Sequence, residues 1–192
     1  MSLKGWDACF PTVIGLCERK DLLTNVQEIL HSTKSDEYFN YLNESDFDVL
    51  TTILKKEFTQ EVTNFLKVVM KINCEIQLTT SWFTNKSSGQ HSHTNSWWSV
   101  VYYLVEDAEI EFSKKAESIH VGADEFHLNN ATEVVYKPKI GEMLIFPSTT
   151  THEAIEYVGD GERYSLAMNF MPKGQVGYFD SRFIYRNHLL LP

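Results

Sequence analysis

The stretch Phe65-Leu66-Lys67-Val68-Val69-Met70-Lys71-Ile72-Asn73-Cys74-Glu75-Ile76-Gln77-Leu78-Thr79-Thr80-Ser81-Trp82-Phe83 changes its hydrophobic period half-way along. As far as Met70 its apolar residues continue a helical spacing that begins at Phe47 and passes through Leu50, Ile53, Leu54, Phe58 and Val62. After Lys71 the pattern is that of strands, β-branched or alternating, with runs at 75–83, 97–105, 108–112, 133–136, 142–146, 152–158 and 163–171. Short turns such as Val158-Gly159-Asp160-Gly161 separate them. Strands this short and this numerous predict a sandwich or barrel, here a double-stranded β-helix of the jelly-roll, cupin-like kind. The expected fold class is therefore mainly β with N-terminal helices (α+β).

Working outward, residues 10–16 read as a strand. Residues 18–31 read as a helix starting near Lys20, with Leu22, Leu23, Val26, Ile29 and Leu30 on one face. Ser45 and Asp46 are the candidate N-cap residues of the second, longer helix. The expectation is a single domain over 1–192: a helical part at about 18–71, a barrel core at about 74–171, and a tail at 172–192. The helices carry no clustered polar chemistry and are expected to buttress the larger sheet. The tail, rich in Phe and Tyr, is expected to cover a sheet edge or to meet a second subunit in a homodimer.

Composition narrows the function. With 192 residues, 43% hydrophobic and 22% charged, the chain has the make-up of one packed globule. Seventeen Lys and Arg against 26 Asp and Glu give a formal charge of −9, which argues against a nucleic-acid duplex as partner. Cys9, Cys17 and Cys74 form no CxxC pair and leave an odd thiol, which points to a reducing compartment and a cytoplasmic location. No apolar run reaches the length of a membrane span, and the first residues lack the apolar stretch of a signal peptide.

The chemistry concentrates in a few histidines. In Gly89-Gln90-His91-Ser92-His93, residues i and i+2 of an extended segment project to the same side, so His91 and His93 can hold one metal ion. Alone, such a pair is also compatible with surface hydrogen bonding. His152 opens a later strand after Gly141-Glu142-Met143-Leu144-Ile145-Phe146-Pro147-Ser148, and a jelly roll can return that strand mouth to the first. Three imidazoles suit divalent iron, zinc, copper or nickel. In Arg163-Tyr164-Ser165-Leu166-Ala167-Met168-Asn169-Phe170 alternation puts Arg163, Ser165, Ala167 and Asn169 on one face, where Arg163 can fork onto a carboxylate with the Ser165 hydroxyl beside it. His31, His120, His127 and His188 lack ligand-like neighbours. Trp82, Trp97 and Trp98 read as core or cavity wall.

Taken in order, HxH, the Ser99-Val100-Val101-Tyr102-Tyr103-Leu104 strand, the 141–148 loop with its histidine, and Arg163-x-Ser165 with a trailing Asn169 resemble the small non-haem iron oxygenases that use 2-oxoglutarate. Phe10-Pro11-Thr12 and Ser81-Trp82 look like a subgroup with an HxH loop. The resemblance implies Fe(II) as cofactor and 2-oxoglutarate as cosubstrate, with O2 and an unidentified prime substrate hydroxylated as succinate and CO2 leave. It implies His91, His93 and His152 as metal ligands, and Arg163, Ser165, Tyr103 and Asn169 at the 2-oxoglutarate. His93 departs from the wider pattern, which has Asp or Glu there; an imidazole leaves one more positive charge on the metal, and Asp124 or Glu125 could supply the missing acid. Two alternatives stay open, a cupin-type metalloprotein and a non-catalytic anion-binding barrel. Cupins usually add a glutamate soon after HxH, and residues 94–98 contain none.

Overall fold

A computed structural model describes residues 11–33, 47–85, 87–114, 125, 127–128, 131–159, 161–176 and 183–185. The chain opens with β1 (Gly15–Glu18), a 3-10 turn at Lys20–Leu22 and α1 (Leu23–Thr33), followed by α2 (Thr52–Val68). The strands β2 (Ile76–Thr84), β3 (Ser88–His91), β4 (Trp98–Tyr103), β5 (Ile110–Ser113) and β6 (Glu133–Tyr136) come next. After them run β7 (Glu142–Pro147), β8 (Thr151–Ala154), β9 (Ser165–Pro172), β10 (Gly174–Val176) and β11 (Phe183–Tyr185). They form a five-stranded sheet in the order β1-β7-β4-β9-β2, a four-stranded sheet in the order β3-β8-β5-β6, and the β10-β11 pair. Every strand pair is antiparallel. Among the described residues the result is the mainly β jelly roll with two α-helices that the period change at Lys71 predicts.

Alternation gives the larger sheet two different faces. Trp98, Val100 and Tyr102 of β4, with Met143 and Ile145 of β7 and Leu166, Met168 and Phe170 of β9, share a buried cluster with the helices. Helix α2 supplies Leu54, Phe58, Val62, Phe65 and Leu66 at three- and four-residue spacing. Phe58 meets Tyr102 edge-on at 5.4 Å and Phe65 meets Trp98 at 5.5 Å. β1 lies so close to this helix that a Cβ on Gly15 would come within 2.5 Å of the Phe65 ring. Arg19, just beyond β1, ties the same corner by bonding Asp21 at 2.8 Å and Glu57 at 3.0 Å. On the opposite face, Tyr103, Leu144 and Phe146 pack against Ala108 and against Ile110 and Phe112 of the smaller sheet. The remaining inward positions of β4 and β9 mix polar Ser99, Ser165 and Asn169 with small apolar Val101 and Ala167.

Several boundaries differ from the sequence expectation. Ser45 and Asp46 lie outside the described residues, and α2 starts only at Thr52, with Thr51 as its cap accepting from the Leu54 N–H. Residues 47–50 are extended instead of helical. They satisfy the outer edge of β2: Ser81 N–H donates to Phe47 O at 3.1 Å and Val49 N–H to Ser81 O at 3.1 Å. An edge strand needs such partners, and this need overrides the helical spacing. The first strand is shifted to Gly15–Glu18 by its pairing with β7, and β9 begins at Ser165, two residues beyond Arg163. β3 and the β10-β11 pair carry no alternating pattern and were not expected. Most of the tail from 177, with the homodimer expectation attached to it, lies outside the described residues, as do Cys9, Phe10, His120 and His188. Among the described residues no helix is long and apolar enough to cross a membrane.

Candidate metal centre

The histidines come together through strand pairing. His91 is the last residue of β3 and lies directly opposite His152 of β8. His152 in turn lies opposite Phe112 of β5. His93 follows β3, where its N–H donates to Ser148 O at 2.8 Å, so the end of β7 holds the HxH loop in place. The ring centroids are 4.4 Å apart for His91 and His152, 5.2 Å for His93 and His152, and 5.3 Å for His91 and His93. All three potential ligand atoms fall within 4.8 Å of one another. His91 is exposed, His93 half-buried and His152 buried.

Each ring has committed its Nδ1. His91 Nδ1 is 2.8 Å from Gly89 O and His152 Nδ1 is 2.9 Å from Thr150 O. A carbonyl oxygen only accepts, so both nitrogens carry the proton and both Nε2 lone pairs are left for a ligand. His93 Nδ1 is 2.8 Å from Asn169 Oδ1 and 3.1 Å from Ser99 Oγ. Desolvation lowers the pKa of His152 to about 4 and also lowers that of His93, with the neighbouring histidines adding in the same direction. These two rings are therefore neutral near pH 7, the form that binds a metal. Around them stand Phe146, its ring centroid 4.8 Å from that of His152, and Trp82, 5.8 Å from that of His93, as an apolar wall. Among the described residues no carboxylate joins the group; Glu125 is exposed and Asp124 lies outside them.

A second polar group sits further along the same sheet face. The register pairs Ser99 with Asn169, Val101 with Ala167 and Tyr103 with Ser165 across β4 and β9. Arg163 and Ser165 are buried, 4% and 1% exposed. Burial disfavours the Arg163 guanidinium charge, while Tyr103 favours it. The Tyr103 hydroxyl is fully buried without a hydrogen-bond partner among the described residues; burial raises its pKa and Arg163 opposes the rise. Arg163, Tyr103 and Ser165 thus gather at one end of β9. Asn169 does not join them: it lies four residues away, roughly 13 Å along the strand, against His93.

Ser99 and Ser148 were missed in the sequence. Ser99 Oγ is 2.8 Å from Asn169 Oδ1 and 2.8 Å from Ser148 Oγ, and both serines are buried. The available signal was a lone hydroxyl inside an otherwise apolar run. His31 and His127 are exposed, Trp98 is core, and Asn85 donates to the Tyr164 hydroxyl at 3.4 Å.

Residues 79–169 match the family model described as "Putative 2OG-Fe(II) oxygenase", a span that contains every site residue named above. Over that span, a little under half of the chain, the barrel resembles the 2OG-Fe(II) oxygenases. Solved structures share the fold. An oxidoreductase of the 2OG-Fe(II) oxygenase family from Burkholderia pseudomallei is 14% identical, with a TM-score of 0.59 over 82% of this chain and 83% of that one. A Pseudomonas putida prolyl-4-hydroxylase is 13% identical, with a TM-score of 0.55 over 84% and 93%. The α-ketoglutarate-dependent epimerase SnoN from nogalamycin biosynthesis is 10% identical, with a TM-score of 0.59 over 82% and 78%. At such identities the likeness is one of fold, a double-stranded β-helix. No curated protein matches the sequence. The 2OG-Fe(II) oxygenases are oxidoreductases that use iron(II), 2-oxoglutarate and O2, and the histidine cluster of this chain is compatible with that metal.

Proposed function

We propose that this oxygenase holds iron(II) through Nε2 of His91, His93 and His152, grips the distal carboxylate of 2-oxoglutarate with Arg163, and hydroxylates an organic substrate. The single observation that carries the reading is the pairing of two features on one inner surface. Three close imidazoles lie at one end, and a buried guanidinium flanked by hydroxyls lies at the other. When bound, iron(II) would supply the site at which O2 is the oxidant, one oxygen atom leaving in succinate as 2-oxoglutarate loses CO2 and the other entering a substrate C–H bond.

The protein's own residues bind, orient and exclude water. The carbonyls of Gly89 and Thr150 fix the rings of His91 and His152. Arg163 offers two parallel N–H groups to a carboxylate, and Ser165 and Tyr103 add hydroxyl donors. Trp82, Phe112 and Phe146 wall His93 and His152 with apolar rings and limit water there, while the His91 edge stays exposed. In this reading residues 1–192 are one domain, with α1 and α2 bracing the outer face of the barrel. The −9 charge makes a nucleic-acid duplex a poor substrate.

The test is anaerobic addition of iron(II) and then 2-oxoglutarate to the purified chain, followed by charge-transfer absorption, and then succinate release in air. Stoichiometric iron with a charge-transfer band and slow succinate formation is the expected result. Iron binding without any response to 2-oxoglutarate would point to a cupin-type metalloprotein. No metal binding at all would leave an anion-binding barrel.

A further inference from the structure

We propose that Asn169, held by Ser99 and Ser148, is the positioning residue that makes His93 a metal ligand by fixing its tautomer and ring orientation. The inference rests on the reading of His91, His93 and His152 as one metal site, and it accounts for how an imidazole serves where the wider pattern has a carboxylate. His91 and His152 are fixed by backbone carbonyls two residues before them in sequence, Gly89 and Thr150. His93 has no such local acceptor; its Nδ1 meets the side chain of a residue 76 positions away.

The direction of each bond follows from the chemistry of the groups. Asn169 Oδ1 accepts only, so the Ser99 hydroxyl, 2.8 Å away, donates to it. Having spent its one proton, Ser99 accepts from Ser148 Oγ at 2.8 Å. His93 Nδ1 then faces two oxygens, Asn169 Oδ1 at 2.8 Å and Ser99 Oγ at 3.1 Å, and neither has a proton to give it. The nitrogen must carry the hydrogen, which leaves Nε2 as the bare lone pair. The amide itself is anchored. Asn169 lies on β9 between β4 and β2, and the extra residue of the β2 irregularity, Thr79, donates its hydroxyl to Asn169 O at 3.1 Å. Ser148 closes the loop by also accepting the His93 backbone N–H through its carbonyl.

The test begins with the wild-type protein free of metal, its histidines labelled with 15N, examined by long-range 1H–15N NMR above pH 7.5. His93 should show the Nδ1–H tautomer; the Nε2–H tautomer overturns the inference, and this measurement stands whether or not any variant folds. Asn169→Leu, checked for folding by near-UV circular dichroism, should give mixed His93 tautomers and bind Co(II) more weakly by roughly 10–100-fold. Asn169→Asp, still an acceptor at that place, should restore the Nδ1–H form and most of the Co(II) affinity. A folded Asn169→Leu with wild-type tautomer and Co(II) affinity overturns the proposal. A wild-type protein that takes up no Co(II) while showing the Nδ1–H tautomer would instead sink the metal-site reading and leave the hydrogen-bond assignment standing.

Discussion

The two ends of the inner sheet face are built on opposite electrostatic principles. At the histidine end, His93 and His152 are kept neutral by burial and aimed by hydrogen bonds, with no carboxylate among the described residues to attract a cation. At the other end, Arg163 keeps a guanidinium in a buried place where desolvation works against its charge. The two ends therefore differ in what each can take, a cation at the neutral imidazoles and an anion at the guanidinium. Under the proposed function an elongated dicarboxylate would reach from one end to the other.

The largest test of the contrast removes one end. His152→Ala should abolish iron(II) binding in an anaerobic metal titration while leaving the fold intact, because the ring stands at the strand mouth and not in the helix-facing core. Retained stoichiometric iron would break the comparison. The reciprocal change, Arg163→Ala, should leave iron(II) binding nearly unchanged and weaken 2-oxoglutarate by about 2–5 kcal/mol, a loss of roughly 30-fold or more. Charge-transfer absorption during 2-oxoglutarate titration reads that loss directly. Unchanged affinity would remove the anion role from Arg163.

Acid should separate the ends next. The unfolded chain takes up a proton on a histidine near pH 6.5, whereas burial holds His152 neutral down to about 4. The unfolded state therefore binds more protons in that window, and the metal-free protein should lose roughly 3 kcal/mol of stability as pH falls from about 6.5 to 4. His93 adds in the same direction. Denaturant unfolding at a series of pH values measures the slope, and His152→Ala should flatten it. Arg163 stays protonated throughout and contributes no slope there.

The smallest effect is the most diagnostic. Tyr103→Phe removes a buried hydroxyl with no partner among the described residues, so the ligand-free protein should gain on the order of 1 kcal/mol in stability. The same change should weaken 2-oxoglutarate by about 1 kcal/mol, or roughly fivefold. A hydroxyl serving only the fold would not give these opposite signs.

How much of this was legible beforehand varies by residue. The helix face from Leu54 to Leu66 and the strand alternation from 75 onward follow directly from side-chain period, since burial on one face requires it. The period also places Arg163, Ser165 and Asn169 on one face. It could not say that Asn169 serves the histidine end, because that depends on the β4-β9 register and on a loop reaching it from residue 93. Residues 47–50 misread as helix because their apolar spacing is compatible with either state, and only the open edge of β2 decides between them.

By itself, then, the sequence determined the mainly β class, the buttressing helix and the chemical types at the site. Local period and residue chemistry suffice for those. Tertiary structure alone decided that His91 lies opposite His152, that Ser99 and Ser148 stand behind Asn169, and that α2 begins at Thr52. The physical reason is range. Periodicity records which face of an element is buried, whereas strand register and hydrogen-bond partners across 49 to 76 residues arise only when the two sheets close on one another.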